Sequence, residues 1–203
     1  ALTVPSIELI RVLNYLDNPK VSTQHGVKGE SHDSVVFVAD DSNNSPFVYM
    51  YRFFDLLSQE PISLHSFNQF YYAYARELAS LQSTINMKIS ELKSPDYSKY
   101  ESEILQKANT IMERFSDNPY FQRICQDKYT KYLNKPGVTK ARDCLKESAV
   151  LGIISAYKLF YVGCSRARKN LTILLDSGKL CGNVSKQKKM FTELGFSVEE
   201  IVI

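Results

Sequence analysis

The chain has 203 residues, of which 44% are apolar and 23% are charged, so it can bury a core and has the composition of a globular protein. Its formal net charge of +3 is too small to indicate a nucleic-acid partner by itself. No apolar run approaches the roughly 20 residues that a membrane-spanning helix needs, so we predict no membrane contact. The four cysteines form no Cys-x-x-Cys pair, which argues against a zinc site or a disulfide framework and favours reduced thiols in a cytoplasmic protein.

The first predicted elements are a helix and a short strand. Apolar residues recur at helical spacing over residues 7–16, which predicts an amphipathic helix. Residues 34–38 are a short continuous apolar run, typical of a buried parallel strand. Between these two elements, residues 21–30 contain a His-Gly-Val-Lys-Gly run, and residues 40–46 after the strand have the composition of a loop.

The middle of the chain is dominated by helical spacing. Aromatic and aliphatic residues predict a long helix over residues 67–89, a second over residues 100–115 and a third over residues 120–133. The aromatic face of the first helix could stack on nucleic-acid bases, but aromatics at this spacing more often form a core, and we favour the core. We therefore predict a helical insertion over residues 46–145.

The last part of the chain returns to mixed structure. The pattern predicts an apolar helix over residues 146–160, a strand over residues 171–175 and a basic amphipathic helix over residues 185–194. The tail, residues 197–203, could add an edge strand. With the insertion set aside, helices and strands alternate, which predicts an α/β fold with a mostly parallel sheet formed by residues 1–45 and 146–203.

Two segments carry side chains suited to phosphate. In the loop before the first strand, two glycines allow close approach of a ligand, while Lys28, His25 and Thr23 supply positive charge and hydrogen-bond donors. An ordinary turn between elements explains the same residues equally simply. At the turn after residue 160, Arg166 and Arg168 carry guanidinium groups that can bind phosphate oxygens, or can instead cap helix carbonyls.

Together these segments resemble a known family. Residues 21–30, followed by the predicted strand, resemble motif V of superfamily 1 DNA helicases of the UvrD/Rep/PcrA type. Residues 159–168, with the order Leu-Phe-Tyr-Val-Gly-Cys-Ser-Arg-Ala-Arg, resemble motif VI of the same proteins. The two motifs occur in the family's order, each beside an expected strand, and the resemblance does not cover the predicted insertion.

The resemblance implies a RecA-like domain of the P-loop NTPase type, the second of two in such helicases. It implies that Arg166 reaches the γ-phosphate of ATP and that single-stranded DNA contacts the motif V loop through Thr23, His25 and Lys28. Nucleotide contacts are implied for the residues at the end of that loop, which are Gly29, Glu30 and Ser31. Because the chain contains no Walker A loop, ATP and its Mg²⁺ would be held by an N-terminal RecA-like domain absent from this chain. We expect this polypeptide alone to hydrolyse no ATP.

One departure from the family pattern keeps alternatives open. The family's motif V usually continues Lys-Gly-Leu-Glu, with the glutamate on the ribose, whereas this chain has Lys28 followed by Gly29, Glu30 and Ser31. A catalytically inactive helicase-like module that binds DNA or a protein is therefore the alternative function. A helicase coupled to a nuclease is a second alternative, although the chain shows no acidic metal-binding cluster.

Overall fold

The computed structural model of the chain describes residues 31–59, 62–180 and 184–201. The predicted helix over residues 7–16 and most of the motif V loop lie outside these residues. The described part has two strands and eight α-helices. The strands are β1 (His32–Val38) and β2 (Ala167–Leu174). The helices are α1 (Met50–Leu57), α2 (Leu64–Ile85), α3 (Ser94–Arg114), α4 (Pro119–Ile124), α5 (Gln126–Asn134), α6 (Val138–Cys144), α7 (Ser148–Cys164) and α8 (Val184–Glu193).

The two strands pair in parallel and in one register. His32 lies opposite Ala167 at one end of the pair, and Val38 lies opposite Leu174 at the other, with one irregularity near the start of β1. The strands predicted over residues 34–38 and 171–175 are therefore present and parallel, and each begins a few residues earlier than its apolar run. The polar residues at their starts extend the pairing beyond the buried part.

The predicted RecA-like, mostly parallel sheet with a helical insertion is wrong. Helices make up 64% of the structure, and the described residues contain only the two-stranded sheet. The tail does not add an edge strand, because residues 197–201 are irregular. The physical reason is that the described apolar segments between the two strands have helical spacing, and their apolar faces pack mainly on one another rather than on a wide sheet.

One face of the sheet packs against α7, and α7 packs in turn against α1. The Phe37 ring of β1 meets the Phe160 ring of α7 edge to face, with centroids 5.4 Å apart. Phe53 of α1 stacks on Tyr157 of α7 with centroids 5.2 Å apart. These rings join the strand pair to the helices through α7, which makes α7 the central helix of this region.

The helices of the middle of the chain form an aromatic core. Phe67, Phe70 and Tyr74 of α2 are buried, so the core interpretation of this aromatic face is confirmed. The helix ends at Ile85 rather than near residue 89, because Asn86 adopts a left-handed conformation with φ of 52°. Such a residue stops an α-helix, and asparagine tolerates the conformation better than most residues.

The predicted boundaries of the insertion, at residues 45 and 146, remain a prediction. Buried side chains from both sides of these boundaries contribute to one continuous cluster. It contains Phe37 of β1 and Phe191 of α8 as well as Tyr129 of α5.

Two glycines allow α7 to approach its neighbours closely. The carbonyl oxygen of Gly152 accepts a hydrogen bond of 2.9 Å from the backbone N–H of Tyr49, and the Tyr49 ring covers the glycine. Near the other end of α7, a Cβ added to Gly163 would lie 2.5 Å from Cδ2 of Phe37. The distance between α7 and β1 therefore depends on the absence of a side chain at Gly163.

We expect Gly163→Ala to lower the free energy of unfolding by about 1–3 kcal/mol. Alanine favours a helix over glycine by up to about 1 kcal/mol, but the new methyl group would force the buried Phe37 ring out of its contact with Phe160. Urea unfolding followed by circular dichroism measures the change. Gly137→Ala is the matched control, because nothing lies within 4 Å of an added Cβ there; equal stability of the two variants would contradict the prediction.

Buried tyrosine hydroxyls are hydrogen-bonded to one another inside the helical core. The Tyr74 hydroxyl lies 3.1 Å from the Tyr129 hydroxyl and donates to the carbonyl oxygen of Cys144, also at 3.1 Å. A second pair, Tyr97 and Tyr132, has its hydroxyls 3.2 Å apart. Burial raises the pKa of Tyr74 and of Tyr129 well above the ordinary value for tyrosine, so both hydroxyls stay protonated and can bond in this way.

Tyr74→Phe should therefore destabilise the chain by about 1–3 kcal/mol, because it leaves the Cys144 carbonyl and one hydrogen bond of Tyr129 unsatisfied in the core. Thermal unfolding compared with Tyr72→Phe provides the measurement. Tyr72 is 56% exposed, so loss of its hydroxyl should change stability very little. The idea fails if both variants unfold at the same temperature as the parent chain.

Candidate functional site

The turn between α7 and β2 carries the arginine that the sequence singles out. The N–H of Ser165 donates to the carbonyl of Tyr161 at 3.0 Å, and the N–H of Arg166 donates to the carbonyl of Gly163 at 3.3 Å. The helix therefore ends at Cys164, and β2 begins two residues after Ser165. This tight turn holds Arg166 at the start of the strand, with its side chain half-buried.

The start of β1 lies beside this turn. The N–H of His32 donates to the carbonyl oxygen of Arg166 at 2.9 Å. Nε of Arg168 donates to Oγ of Ser31 at 2.8 Å, a contact between residues 137 positions apart. The parallel pairing thus brings the end of the segment that resembles motif V against the arginines of the segment that resembles motif VI.

Polar contacts continue along the exposed start of the strand pair. Nζ of Lys169 lies 2.7 Å from Oδ2 of Asp33, and Nδ2 of Asn170 donates to Oγ of Ser34 at 3.2 Å. Exposed ion pairs of this kind contribute little stability, typically below about 1 kcal/mol. The Lys169–Asp33 pair therefore adds little to the stability of the strand pairing.

The predicted site residues divide into two groups. Arg166 and Ser31 are described, and they lie on neighbouring strand starts. The remaining predicted residues lie outside the described part of the chain; they are Thr23, His25, Lys28, Gly29 and Glu30.

The face of the sheet that points away from the helices exposes apolar side chains. Val36 is 62% exposed and Val38 is 66% exposed. Tyr161, in the last turn of α7, is also 62% exposed, although its position in the motif suggests a packing role. Parallel sheets are usually covered on both faces, so this surface has the character of a contact area for further polypeptide.

Burial of the Cys164 side chain disfavours the thiolate form of its thiol. Cys164 is half-buried, and burial raises the pKa of its thiol to about 11.

Within residues 31–59, 62–180 and 184–201, no group of three or more His, Cys, Asp or Glu side chains could hold a metal ion. None of the described helices has the length and apolar character needed to cross a bilayer.

A second region of interest was not anticipated from the sequence. An open cavity of about 900 Å³ lies at the start of α7, at the opposite end of that helix from Arg166. Arg142 and Lys146 line it, four positions apart along the chain. Arg142 lies in α6, whereas Lys146 lies in the connection between α6 and α7, so no helical spacing in the sequence pointed to this pair.

Comparisons of the chain with protein-family models, with curated proteins and with solved structures found no match in any of the three. The proposed function therefore depends on the contacts at the Arg166 turn and on the two sequence segments that resemble helicase motifs.

The thiol of Cys164 should react slowly with iodoacetamide at pH 7.5, because the thiolate is the nucleophile and burial keeps this thiol protonated. The rate should rise about tenfold for each pH unit as the pH approaches the raised pKa. Peptide mapping by mass spectrometry follows Cys164 separately from the other cysteines. Labelling in urea, where burial is lost, is the control; labelling of the folded chain at pH 7.5 as fast as in urea would contradict the assignment.

Proposed function

We propose that this chain is the C-terminal part of an ATP-dependent DNA helicase or translocase of superfamily 1. In this proposal Arg166 acts on the γ-phosphate of ATP, and another domain of the same protein holds the nucleotide and its Mg²⁺. The proposal rests on the two motifs and their spatial relation, and not on the size of the sheet. The proposal includes a cytoplasmic location, which reduced cysteines favour.

The single observation that carries the proposal is the contact between the two motif segments. The backbone bond from His32 to Arg166 and the side-chain bond from Arg168 to Ser31 join segments more than a hundred residues apart. A site that couples DNA binding to phosphate chemistry needs the two segments to be in contact, because a movement of the DNA-binding loop must displace the arginine.

The turn suits Arg166 for charge stabilisation. Phosphoryl transfer requires mainly positioning and charge compensation from the protein, and a permanently charged guanidinium provides the latter. A half-buried arginine at a fixed turn between helix and strand loses less conformational freedom on binding than an arginine on a mobile loop. Arg168 is occupied with Ser31 and is exposed, so we assign it no part in the chemistry.

The remaining partners follow from the resemblance to the helicase motifs. The loop that precedes β1 would contact the backbone of single-stranded DNA through Thr23, His25 and Lys28. Gly29, Glu30 and Ser31 would lie closest to the nucleotide. The exposed apolar surface of Val36 and Val38 offers a contact area for the domain that binds ATP.

One observation favours the second candidate, an inactive helicase-like module that binds DNA or a protein. Oγ of Ser31 already accepts a hydrogen bond from Arg168, and Ser31 stands where the family usually has the glutamate of the ribose contact. If this bond persists in the whole protein, Ser31 is a weaker ribose ligand than a glutamate would be.

We expect Arg166→Ala in the full-length protein to reduce kcat for DNA-stimulated ATP hydrolysis by about a thousandfold or more, because the charge developing on the γ-phosphate loses its compensation. Arg168→Ala is the matched control and should leave kcat within about a factor of three, since this guanidinium is tied to Ser31. A coupled assay for released phosphate, with and without single-stranded DNA, gives both values.

Two outcomes would count against the proposal in different ways. Wild-type turnover in Arg166→Ala would exclude the arginine's role. Absence of any DNA-stimulated hydrolysis in the unmodified full-length protein, together with retained DNA binding, would favour the inactive module.

A further inference from the structure

The open cavity at the start of α7 combines an apolar floor with a cationic rim. Five apolar residues from separate elements line the floor, and they are Phe47, Leu78, Ile89, Leu145 and Leu151. Its volume, about 900 Å³, lies at the upper end of the range of small-molecule sites and is far larger than a single inorganic ion requires. The cavity therefore fits a ligand that has both an apolar body and a charged group.

The charges on the rim indicate the sign of that group. Arg142 and Lys146 line the cavity, and within the described part of the chain neither side chain has a hydrogen-bond or ion-pair partner. Lys88 adds a third cation, which lies 3.9 Å from the exposed Glu91. The rim thus offers two uncompensated cations to an anionic ligand.

Two carboxylates also line the cavity, but both have partners. Asp143 lies 2.9 Å from Nζ of Lys128, and Glu147 accepts a hydrogen bond of 2.7 Å from the Tyr71 hydroxyl. The ion pair offsets the charge of Asp143, and the tyrosine hydrogen bond occupies one oxygen of Glu147. The lining therefore remains positive overall despite these acids.

One polar group in the cavity wall has no hydrogen-bond partner. Oγ of Ser148 is buried and has no hydrogen-bond partner among the described atoms. Buried hydroxyls are normally satisfied, so a ligand or a water molecule is required to complete this one. Ser148 is the first residue of α7, and no side chain caps that end of the helix. The N–H groups of Ala149 and Val150 donate to the carbonyl oxygens of Lys146 and Glu147, so the helix contributes only its dipole to the positive field near the cations.

We propose that this cavity binds a nucleotide, with its phosphate on Arg142 and Lys146 beside Ser148 and its base against the apolar floor at Phe47. An arginine and a lysine beside a helix start match a phosphate group, and an aromatic ring on an apolar floor matches the flat face of a base. The nucleotide is either free in solution or one unit of a single strand, since both present the same phosphate and base.

This site is distinct from the one at Arg166. The 17 residues of α7 separate the two, which corresponds to roughly 25 Å along the helix. The assignment does not depend on the proposed helicase activity, because it concerns residues outside both sequence motifs.

Fluorescence anisotropy with two probes tests the assignment on the 203-residue chain. The first probe is a fluorescent derivative of adenosine monophosphate, and the second is a labelled single-stranded oligothymidine. The double variant Arg142→Gln with Lys146→Gln should weaken binding of at least one probe by about tenfold or more, because each hydrogen bond to a charged group is lost. Loss for the mononucleotide identifies a free nucleotide as the ligand, and loss for the oligonucleotide alone identifies a strand.

A matched control separates a local contact from a general effect of charge. The control variant, Lys186→Gln with Lys189→Gln, also removes two positive charges, but from α8, which does not line the cavity. It should change the Kd of each probe by less than about twofold. Circular dichroism of each variant verifies folding. The assignment is overturned if neither probe binds the unmodified chain, if the double variant binds both as tightly as the control, or if only Arg166→Ala weakens binding. Tight binding of an acidic peptide that neither nucleotide probe displaces would overturn it as well.

Discussion

The parallel pairing of β1 with β2 is the constraint on which the rest of the arrangement depends. It joins His32 to Ala167 and so closes a loop that contains seven of the eight described helices. Because closing a long loop costs entropy, the pairing needs support, and the contact of Phe37 with Phe160 supplies part of it through α7. The same register places Ser31 beside Arg168 and the Arg166 turn, so the candidate site is a direct consequence of the strand pairing.

Helix α7 connects the two regions to which we assign function. Its first half is buried, and Tyr157 and Phe160 in its second half contact aromatic rings of α1 and β1. The end that follows Gly163 leads into the arginine turn, and the start at Ser148 faces the cationic cavity. A buried, closely packed helix holds its ends at a fixed separation, so a ligand at one end meets a surface whose relation to the other end is constant.

Much of the local structure could be predicted, but its assembly could not. The strand around Phe37 and the helix containing Phe67 and Tyr74 were predicted from an apolar run and from helical spacing. These local patterns do not depend on which element packs against them. The predicted RecA-like sheet was wrong because the alternation of helices and strands along the chain does not determine how many strands pair. The tail, which could have added an edge strand, is irregular. The cavity at Arg142 was missed because its lining comes from segments about a hundred residues apart, such as Phe47 and Leu151.

The amino-acid sequence by itself determined the two strands, the main helices of the middle of the chain and the burial of the aromatic face at Phe67 and Tyr74. Those properties depend on local spacing and on the chemistry of single side chains. Only the tertiary structure decided that Ser31 meets Arg168, that Tyr161 is exposed, and that Arg142 and Lys146 stand over an apolar cavity. These depend on contacts between distant segments, and the packing of the aromatic helices against α7 selects those contacts from the many that the sequence alone permits.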